Sequence, residues 1–591
     1  MDDKQRTYGQ FETPIDLADM LLSFCLRRPG DRILDPSCGN GALLSRAAGM
    51  QRWLDPWHDP VDALWGVELD PEAAVEAQEA LPQAHIINRD FFDIEPEPDR
   101  LFDAIVGNPP YTRAEWIDRL VEEGRQAGQL PMFDGTGAAQ PEVQAPAGRR
   151  YPFLGRRAGL HAYFFIHGTD FLREGGRFGF VVPNSWLDVA YGERLKQFLL
   201  EHYQILALIE SNVERWFVDA RVNTCLVILE KCADADRRAA NRVRLIRLFR
   251  PLSELIPFPE NDRQRLSHME RLVGRMLPGA DQRGEDLAVR VVGQRELTAN
   301  EKWGVTLRAP AVYRRQLRQA NLAPLKMWAT VRRGYTTGAN AFFYMDRETA
   351  EERGLEPQFL RPLLKSLRGV NRRRVTADDC DMRLFWSGPE SVPPGSAAAD
   401  YVAWGEAQGY HLRRTCAARS PWYALPKQEA AALLLPKGTW LRHFAPVLED
   451  EVRVDQQLYR LRLFDGVPVL AAAALLNCAW TALQLELCGR VNFGEGVLWL
   501  AAYEVEDLHL PDPRYLTDRQ LSDLVSAFEP LLDRPLATMP EEVATDAWAA
   551  FDGTVATIIG FSAEEATAVN EGLLERLAAR RAKSGKSDEG V

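Results

Sequence analysis

The chain has 591 residues, a net charge of −13, and 46% hydrophobic against 26% charged residues. That length calls for roughly two to four folding units, and the composition is that of an ordinary soluble globular protein rather than a disordered or fibrous one. Eight cysteines without a C-x-x-C pair argue against a zinc site or a disulfide framework, so a reducing, cytoplasmic setting is expected. The acidic balance does not advertise nucleic-acid binding, but a local basic face matters more than the total.

Taken in order, the N-terminal residues Met1 to Arg6 lack the apolar core of a signal peptide. Thr13-Pro14 reads as an N-cap followed by proline at the first helical position, opening a helix over Ile15 to Cys25. Arg32 to Asp35 reads as the first strand. It runs into a tight loop, Pro36-Ser-Cys-Gly-Asn-Gly41, that opens a helix from Ala42. Glycines such as Gly39 and Gly41 let a backbone approach a ligand, and the helix N-terminus favours a negative group. A second strand, Ala63 to Asp70, carries Glu68, an acid suited to bonding both hydroxyls of a ribose. The interval from Asp35 exceeds the usual roughly 20 residues because of the loop 53–60. A third strand, His85 to Asn88, delivers Asp90 and Phe91, suited to the amino group and face of an adenine. The alternative for Phe91 and Phe92 is burial in the core.

The stretch around which these elements are arranged is Asn108-Pro109-Pro110-Tyr111, following the apolar run Leu101 to Gly107. At the C-terminal end of a buried strand it stands where α/β sheets bind ligands. Two prolines stiffen the loop and remove donors. Asn108 Oδ1 and the Pro109 carbonyl can then accept both hydrogens of one exocyclic amine, with Tyr111 stacked on the ring that bears it. Such a site suits methylation of a planar NH2 group. Beyond it lie a long Gly/Ala/Pro-rich loop over 124–150 and the basic pairs Arg149-Arg150 and Arg156-Arg157. Helices over 162–172 and 192–202 then alternate with strands over 178–183, 205–210 and 222–230, which predicts a mostly parallel sheet.

Thr13-Pro14, Asp35 to Gly41, Glu68, Asp90-Phe91, Asn108 to Tyr111 and Phe178 to Pro183 occur in an order that resembles the TaqI-type, gamma-group N6-adenine DNA methyltransferases of restriction–modification systems. The resemblance covers about the first 230 residues. It implies a class I S-adenosylmethionine-dependent fold, Rossmann-like with a mostly parallel sheet, followed by an α+β target-recognition domain. S-adenosylmethionine would be held by Thr13, Asp35, Ser37, Gly39, Gly41, Glu68, Asp90, Phe91 and Phe164, and Asn108, Pro109 and Tyr111 would be catalytic. The target base would have to be flipped out of the duplex. In that family an aromatic at the position of Phe217 closes the base pocket opposite the tyrosine, so Phe217→Ala is expected to weaken base capture with little change in stability; core packing is the alternative for Trp216 and Phe217.

Looser echoes of such recognition domains run from Lys326 to Met345 and through Pro436 to Arg442, Asp455, Leu475 to Asn477 and Leu510-Pro511. Arg332, Arg333, Arg361, Lys365, Arg368 and Arg372 to Arg374 are the strongest basic clusters and candidates for phosphate contact, although charge runs are more often solvated faces. Val469 to Leu483 is shorter than the roughly 20 residues of a membrane span and reads as one buried helix. Ser562-x-x-Glu565 reads as a capping box, and a disordered tail is expected at the end. The expected organisation is a catalytic domain over 1–240, a recognition domain over 241–515 and a helical extension over 516–591. The expected partner is double-stranded DNA, with a separate restriction endonuclease or defence-complex subunit as a further candidate and no membrane. Two other readings are a DNA-binding defence subunit with a non-catalytic methyltransferase fold, and an RNA or protein amide methyltransferase. No convincing nuclease constellation is seen, so DNA cleavage is not expected.

Overall fold

The computed structural model describes residues 12–57, 63–111, 142–144, 150–152, 154, 158–189, 191–217, 222–256, 261–317, 321–388, 392–491 and 496–584. The expectations for the loop over 124–150, the basic pairs that follow and the C-terminal tail lie wholly or largely outside these residues, as do residues 58–60 of the loop over 53–60. The chain divides into two compact units, Met1–Arg308 and Ala309–Val591.

The first unit is built on one sheet. Its elements in order are α1 (Ile15–Cys25), β1 (Ile33–Asp35), α2 (Ala42–Leu54), β2 (Leu64–Glu68), α3 (Pro71–Ala80), β3 (His85–Asn88), β4 (Phe102–Gly107), α4 (Leu160–Thr169) and β5 (Leu172–Pro183). Then follow α5 (Gly192–His202), β6 (Tyr203–Ser211), β7 (Thr224–Lys231), β8 (Arg242–Leu248), α6 (Asp262–Arg275), β9 (Gln282–Arg283) and β10 (Leu287–Gly293). The strand order is β9-β10-β8-β6-β7-β5-β4-β1-β2-β3. Strands β3, β2, β1, β4 and β5 are mutually parallel, and β7 runs antiparallel between β5 and β6. This is the class I S-adenosylmethionine-dependent methyltransferase fold.

The buried strands alternate between two cores. Ala104, Val106 and Val181 join Leu17, Leu21 and Leu44 on one face, while Ile105, Phe178, Phe180 and Val182 join Phe165, Leu195 and Leu199 on the other. Strands sandwiched between helices in this way are apolar at nearly every position, which is why they were legible as short continuous runs. Asp19, fully buried on α1, accepts from Arg46 of α2 at 2.8 Å and from Arg265 of α6 at 2.7 Å, joining three helices on one face.

The boundary expected at residue 240 falls inside this sheet. β8 pairs in parallel with β6, and β10 pairs with β8 over seven residue pairs, from Arg242–Gly293 to Leu248–Leu287. At the N-terminus, α1 matches its expected span, but Pro14 is the cap itself and no side-chain cap bond is made. The hydroxyl of Thr13 is therefore not what starts the helix. β5 begins at Leu172, earlier than expected, because Gly175-Gly176 lie within the strand rather than before it.

The second unit is α+β. One five-stranded sheet carries, in order, Ala329–Arg333, Leu458–Leu463, Leu433–Pro436, Val447–Leu448 and Arg374–Val375. A four-stranded sheet carries Tyr344–Asp346, Met382–Phe385, Leu360–Leu364 and Arg453–Val454. The helices beyond residue 516 belong to this unit rather than to a separate extension. The run read as one helix is two, Val469–Leu476 and Ala479–Cys488, bent by 57°. Asn477 stands at the break, where its side chain exchanges two hydrogen bonds with the backbone of Ala445 at 3.1 and 2.9 Å. Among the described residues no single helix is long and apolar enough to cross a membrane.

Candidate active site

Parallel strands deliver their C-terminal ends to one edge of a sheet, and three of them end here on the residues singled out above. β1 ends at Asp35, β2 at Glu68, and β4 at Gly107 just before Asn108. β1 lies between β2 and β4, so the loop Asp35–Gly41 lies between Glu68 and the Asn-Pro-Pro-Tyr stretch.

Glu68 is almost fully buried and organises this loop. Its Oε2 accepts from the Gly39 N–H at 2.8 Å, and its Oε1 from the Asp70 N–H at 2.8 Å. Gly41 caps α2 with a left-handed φ of +81°, and a Cβ there would lie 3.2 Å from Ala77 Cβ. Only glycine combines that backbone angle with such close packing. Asp35 accepts from the Ser37 N–H at 3.1 Å. Burial, with a smaller contribution from nearby Glu68, pushes its carboxyl up to about 7 against the lowering effect of that N–H.

The Asp35–Gly41 loop and the Asn-Pro-Pro-Tyr stretch are joined directly. Ser37 Oγ donates to the Asn108 carbonyl at 3.4 Å. Gly107 passes so close to Asp35 that a Cβ on it would lie 2.9 Å from Asp35 Oδ1. The sequence reading passed over Gly107. Its only signal was its place between an apolar strand and the Asn-Pro-Pro-Tyr stretch.

On the β3 side, Asp90 caps a short 3-10 turn by accepting from the Phe92 N–H at 3.0 Å, and burial raises its carboxyl above the ordinary value. Phe91 and Phe164 are both buried, with ring centres 5.4 Å apart, in an aromatic cluster that includes Phe92 and Phe171. His167, also missed by sequence reading, is fully buried. It bridges the Phe91 carbonyl at 2.9 Å and the Tyr151 hydroxyl at 2.8 Å, which fixes the loop carrying Asp90 and Phe91.

On the β5 side, the Tyr111 hydroxyl donates to the Val181 carbonyl at 3.4 Å, and burial holds it protonated. Tyr111 meets Phe217 edge to face, with ring centres 6.0 Å apart and planes at 86°. The two aromatics are thus brought together across the mouth. A base held flat between parallel rings needs about 7 Å, two contacts of about 3.5 Å, so one ring must turn to admit it. Phe217 is only 5% exposed and packs in the core with Trp216. Truncating it to alanine therefore must cost stability, which corrects the expectation of little change.

The basic residues of the second unit divide. Arg332, Arg333 and Arg368 are exposed, whereas Arg372 pairs with Asp379 at 3.2 Å. Arg373 is buried against Glu542 at 3.1 Å, and Arg374 pairs with Asp533 at 3.2 Å, so that run is largely used in holding the unit together.

Two family models match the chain. Residues 68–217 match the Eco57I restriction-modification methylase model, and residues 302–532 match that of the C-terminal domain of the type II methyltransferase M.Eco57I. Both models describe restriction–modification methylases. The chain is 20% identical to M.AccI of Acinetobacter calcoaceticus over 443 residues, covering 73% of this chain and 71% of that protein. It is 23% identical to M.BstVI of Geobacillus stearothermophilus, covering 61% of each. Its match to M.XamI of Xanthomonas campestris pv. amaranthicola, 29% identical, spans only 36% of that relative's length. In fold the chain resembles the type IIL restriction-modification enzyme MmeI, solved in complex with DNA, with a TM-score of 0.54 over 96% of this chain and 75% of MmeI at 14% identity.

The fold implies S-adenosylmethionine as cofactor, and the residues present fit it. The buried carboxylates of Asp35 and Glu68, the open backbone at Gly39 and the N-terminus of α2 offer acceptors for a cation and hydroxyls and donors for a carboxylate.

Proposed function

We propose that this protein transfers a methyl group to N6 of an adenine flipped out of double-stranded DNA, as the modification partner of a restriction–modification system. The observation that carries the reading is the coupling of the two loops. The Asn-Pro-Pro-Tyr stretch leaves β4 beside the Asp35–Gly41 loop and is tied to it through Ser37 and Gly107. The proposed cofactor-binding residues are Thr13, Asp35, Ser37, Gly39, Gly41, Glu68, Asp90, Phe91 and Phe164.

S-adenosylmethionine, when bound, supplies an electrophilic methyl on a sulfonium. The chain's own part is to prepare the amine. The N6 lone pair of adenine is delocalised into the ring and is a poor nucleophile. Asn108 Oδ1 and the Pro109 carbonyl would each accept one N6 hydrogen, localising the lone pair and aiming it at the cofactor side. Tyr111 would cover one face of the extruded base and replace stacking lost from the duplex. A neutral amide cannot take up the released proton, so that proton passes to solvent. Positioning and electrostatics then carry the rate.

The test is transfer of tritiated methyl from S-adenosylmethionine to genomic DNA, with the product nucleoside identified. Asn108→Ala should abolish transfer while cofactor and DNA affinities stay within a few-fold. Methylation at wild-type rate in that variant, or a methyl found on cytosine, RNA or protein, overturns the reading.

A further inference from the structure

The five-stranded sheet of the second unit carries a like-charge arrangement that its own stability does not explain. In the antiparallel pairing of Ala329–Arg333 with Leu458–Leu463, Arg332 stands directly opposite Arg460 and Thr330 directly opposite Arg462. Directly opposed residues project from the same face, as do residues two apart on one strand. Thr330, Arg332, Arg460 and Arg462 therefore share one face, with Arg332 and Arg462 exposed and Arg460 half-buried between them.

Like charges directly opposite destabilise a strand pair, and here the relief is slight. Among the described residues Arg332 makes no ion pair. Glu429 reaches Arg462 at 3.2 Å, with both side chains largely exposed, and accepts from Arg460 through its backbone carbonyl at 2.7 Å, its carboxylate acting on Arg460 through its field alone. Arg453, buried and paired with Glu451, adds another like charge whose field reaches Arg460. An arrangement that costs the sheet stability is accounted for when a polyanion supplies the missing charge.

We infer that the stripe Arg332–Arg460–Arg462 is a contact site for the phosphodiester backbone of double-stranded DNA, resting on the methyltransferase reading above. Guanidinium groups match phosphate bidentately. Arginines two apart on a strand stand about 7 Å from one another, along a duplex that bears one charge per strand every roughly 3.4 Å of its axis. Contacts of this kind set affinity and orientation without reading sequence. Neither Arg460 nor Arg462 stands out in the sequence, where Leu458 to Leu463 looks like a strand with one solvated face.

The test is fluorescence anisotropy of the full chain on a mixed-sequence duplex of about 30 base pairs, titrated between about 50 and 200 mM salt. Arg332→Gln and Arg462→Gln should each lower the slope of log affinity against log salt by about 0.9, and the double variant by about twice that. Glu429→Gln should tighten binding. Arg519→Gln, the control, removes a side chain that is 91% exposed on the C-terminal helical region and should leave the slope unchanged. The melting temperature of Arg332→Gln should hold or rise, because a like-charge pair is relieved.

The inference is overturned if wild-type protein binds DNA with a steep salt dependence that neither arginine variant alters. It is equally overturned if the Arg519 control loses as much slope, or if Glu429→Gln weakens binding. A wild-type protein that neither binds nor methylates DNA defeats the methyltransferase reading itself, a different result from an unchanged slope.

Discussion

Asp35 is the residue where burial and chemistry are most directly opposed. With its folded value near 7 against an ordinary 3.8, the folded protein holds a proton that the unfolded chain has released. The sign follows: between about pH 4 and pH 7 the folded state binds more protons, so stability falls as pH rises through that window. Asp35→Asn removes the titration, and its stability relative to wild type should be greater at pH 8 than at pH 5 in the ligand-free protein. Thermal unfolding of both proteins across that range decides it, and parallel curves would show that Asp35 does not titrate there. Phe217 poses the other question at this scale, since it is core and, in the proposed reading, would also be a wall of the base pocket. Phe217→Ala should now cost about 3–5 kcal/mol of stability. Phe217→Leu, which nearly conserves volume, should cost less than about 1.5 kcal/mol yet still lose base stacking worth about 1–3 kcal/mol. A 2-aminopurine at the target adenine should then brighten less on binding the Leu variant than on wild type. Equal brightening at equal turnover would leave Phe217 with a packing role alone.

At the scale of elements, what was legible follows from how each element is specified. Strands β1, β2 and β4 are short apolar runs that end at Asp35, at Glu68 and just before Asn108, so burial pattern and motif mark the same positions. β8 and β10 are equally strand-like but end on no motif, and nothing local says which sheet they join. The break at Asn477 was hidden for a related reason. An asparagine inside an apolar run reads as tolerated until its partner, the Ala445 backbone, is known. The C-terminal helix, Ala563–Ala582, was legible at its start, where Ser562 accepts from the Glu565 N–H at 3.2 Å. Its anchor was not. Arg580 is buried against Glu486, with Nε–Oε2 at 3.0 Å, and His443 lies 2.9 Å from the same carboxylate. Burial alone would raise the Glu486 carboxyl, but Arg580, and His443 after it, more than offset this and hold it at about 2. Its contribution is thus fully present above about pH 4.5 and is lost as pH falls towards 2. Arg580→Ala leaves a buried carboxylate without its main partner and should cost about 3–5 kcal/mol at neutral pH. Chemical denaturation measures it, and a loss below about 1 kcal/mol would mean that the helix is held by its apolar face instead.

At the scale of the whole molecule, each unit has apolar cores of its own. Among the described residues, two apolar clusters in the first unit's sheet draw on residues from Leu17 to Leu307, and two in the second unit draw on residues from Tyr335 to Leu458, with Leu536 packed against one of them. A unit that buries its apolar surface internally can fold alone. Every residue proposed to hold the cofactor or the reacting amine lies before residue 308, and the arginine stripe lies beyond it. The two functions should therefore separate. A fragment ending at Arg308 keeps the buried guanidinium that donates to Glu210 at 2.6 and 2.8 Å and to Asp188 at 2.7 Å. It should unfold in one cooperative transition and bind S-adenosylmethionine within a few-fold of the full chain. Its affinity for duplex DNA should fall and lose most of its salt dependence, because the phosphate contacts are gone. Calorimetric titration with the cofactor, beside anisotropy on the same duplex, separates the outcomes. A fragment that binds DNA as tightly and as salt-dependently as the full chain places the phosphate contacts in the catalytic unit. One that is unfolded shows that the first unit's sheet depends on residues beyond 308, and that the two cores are not independent.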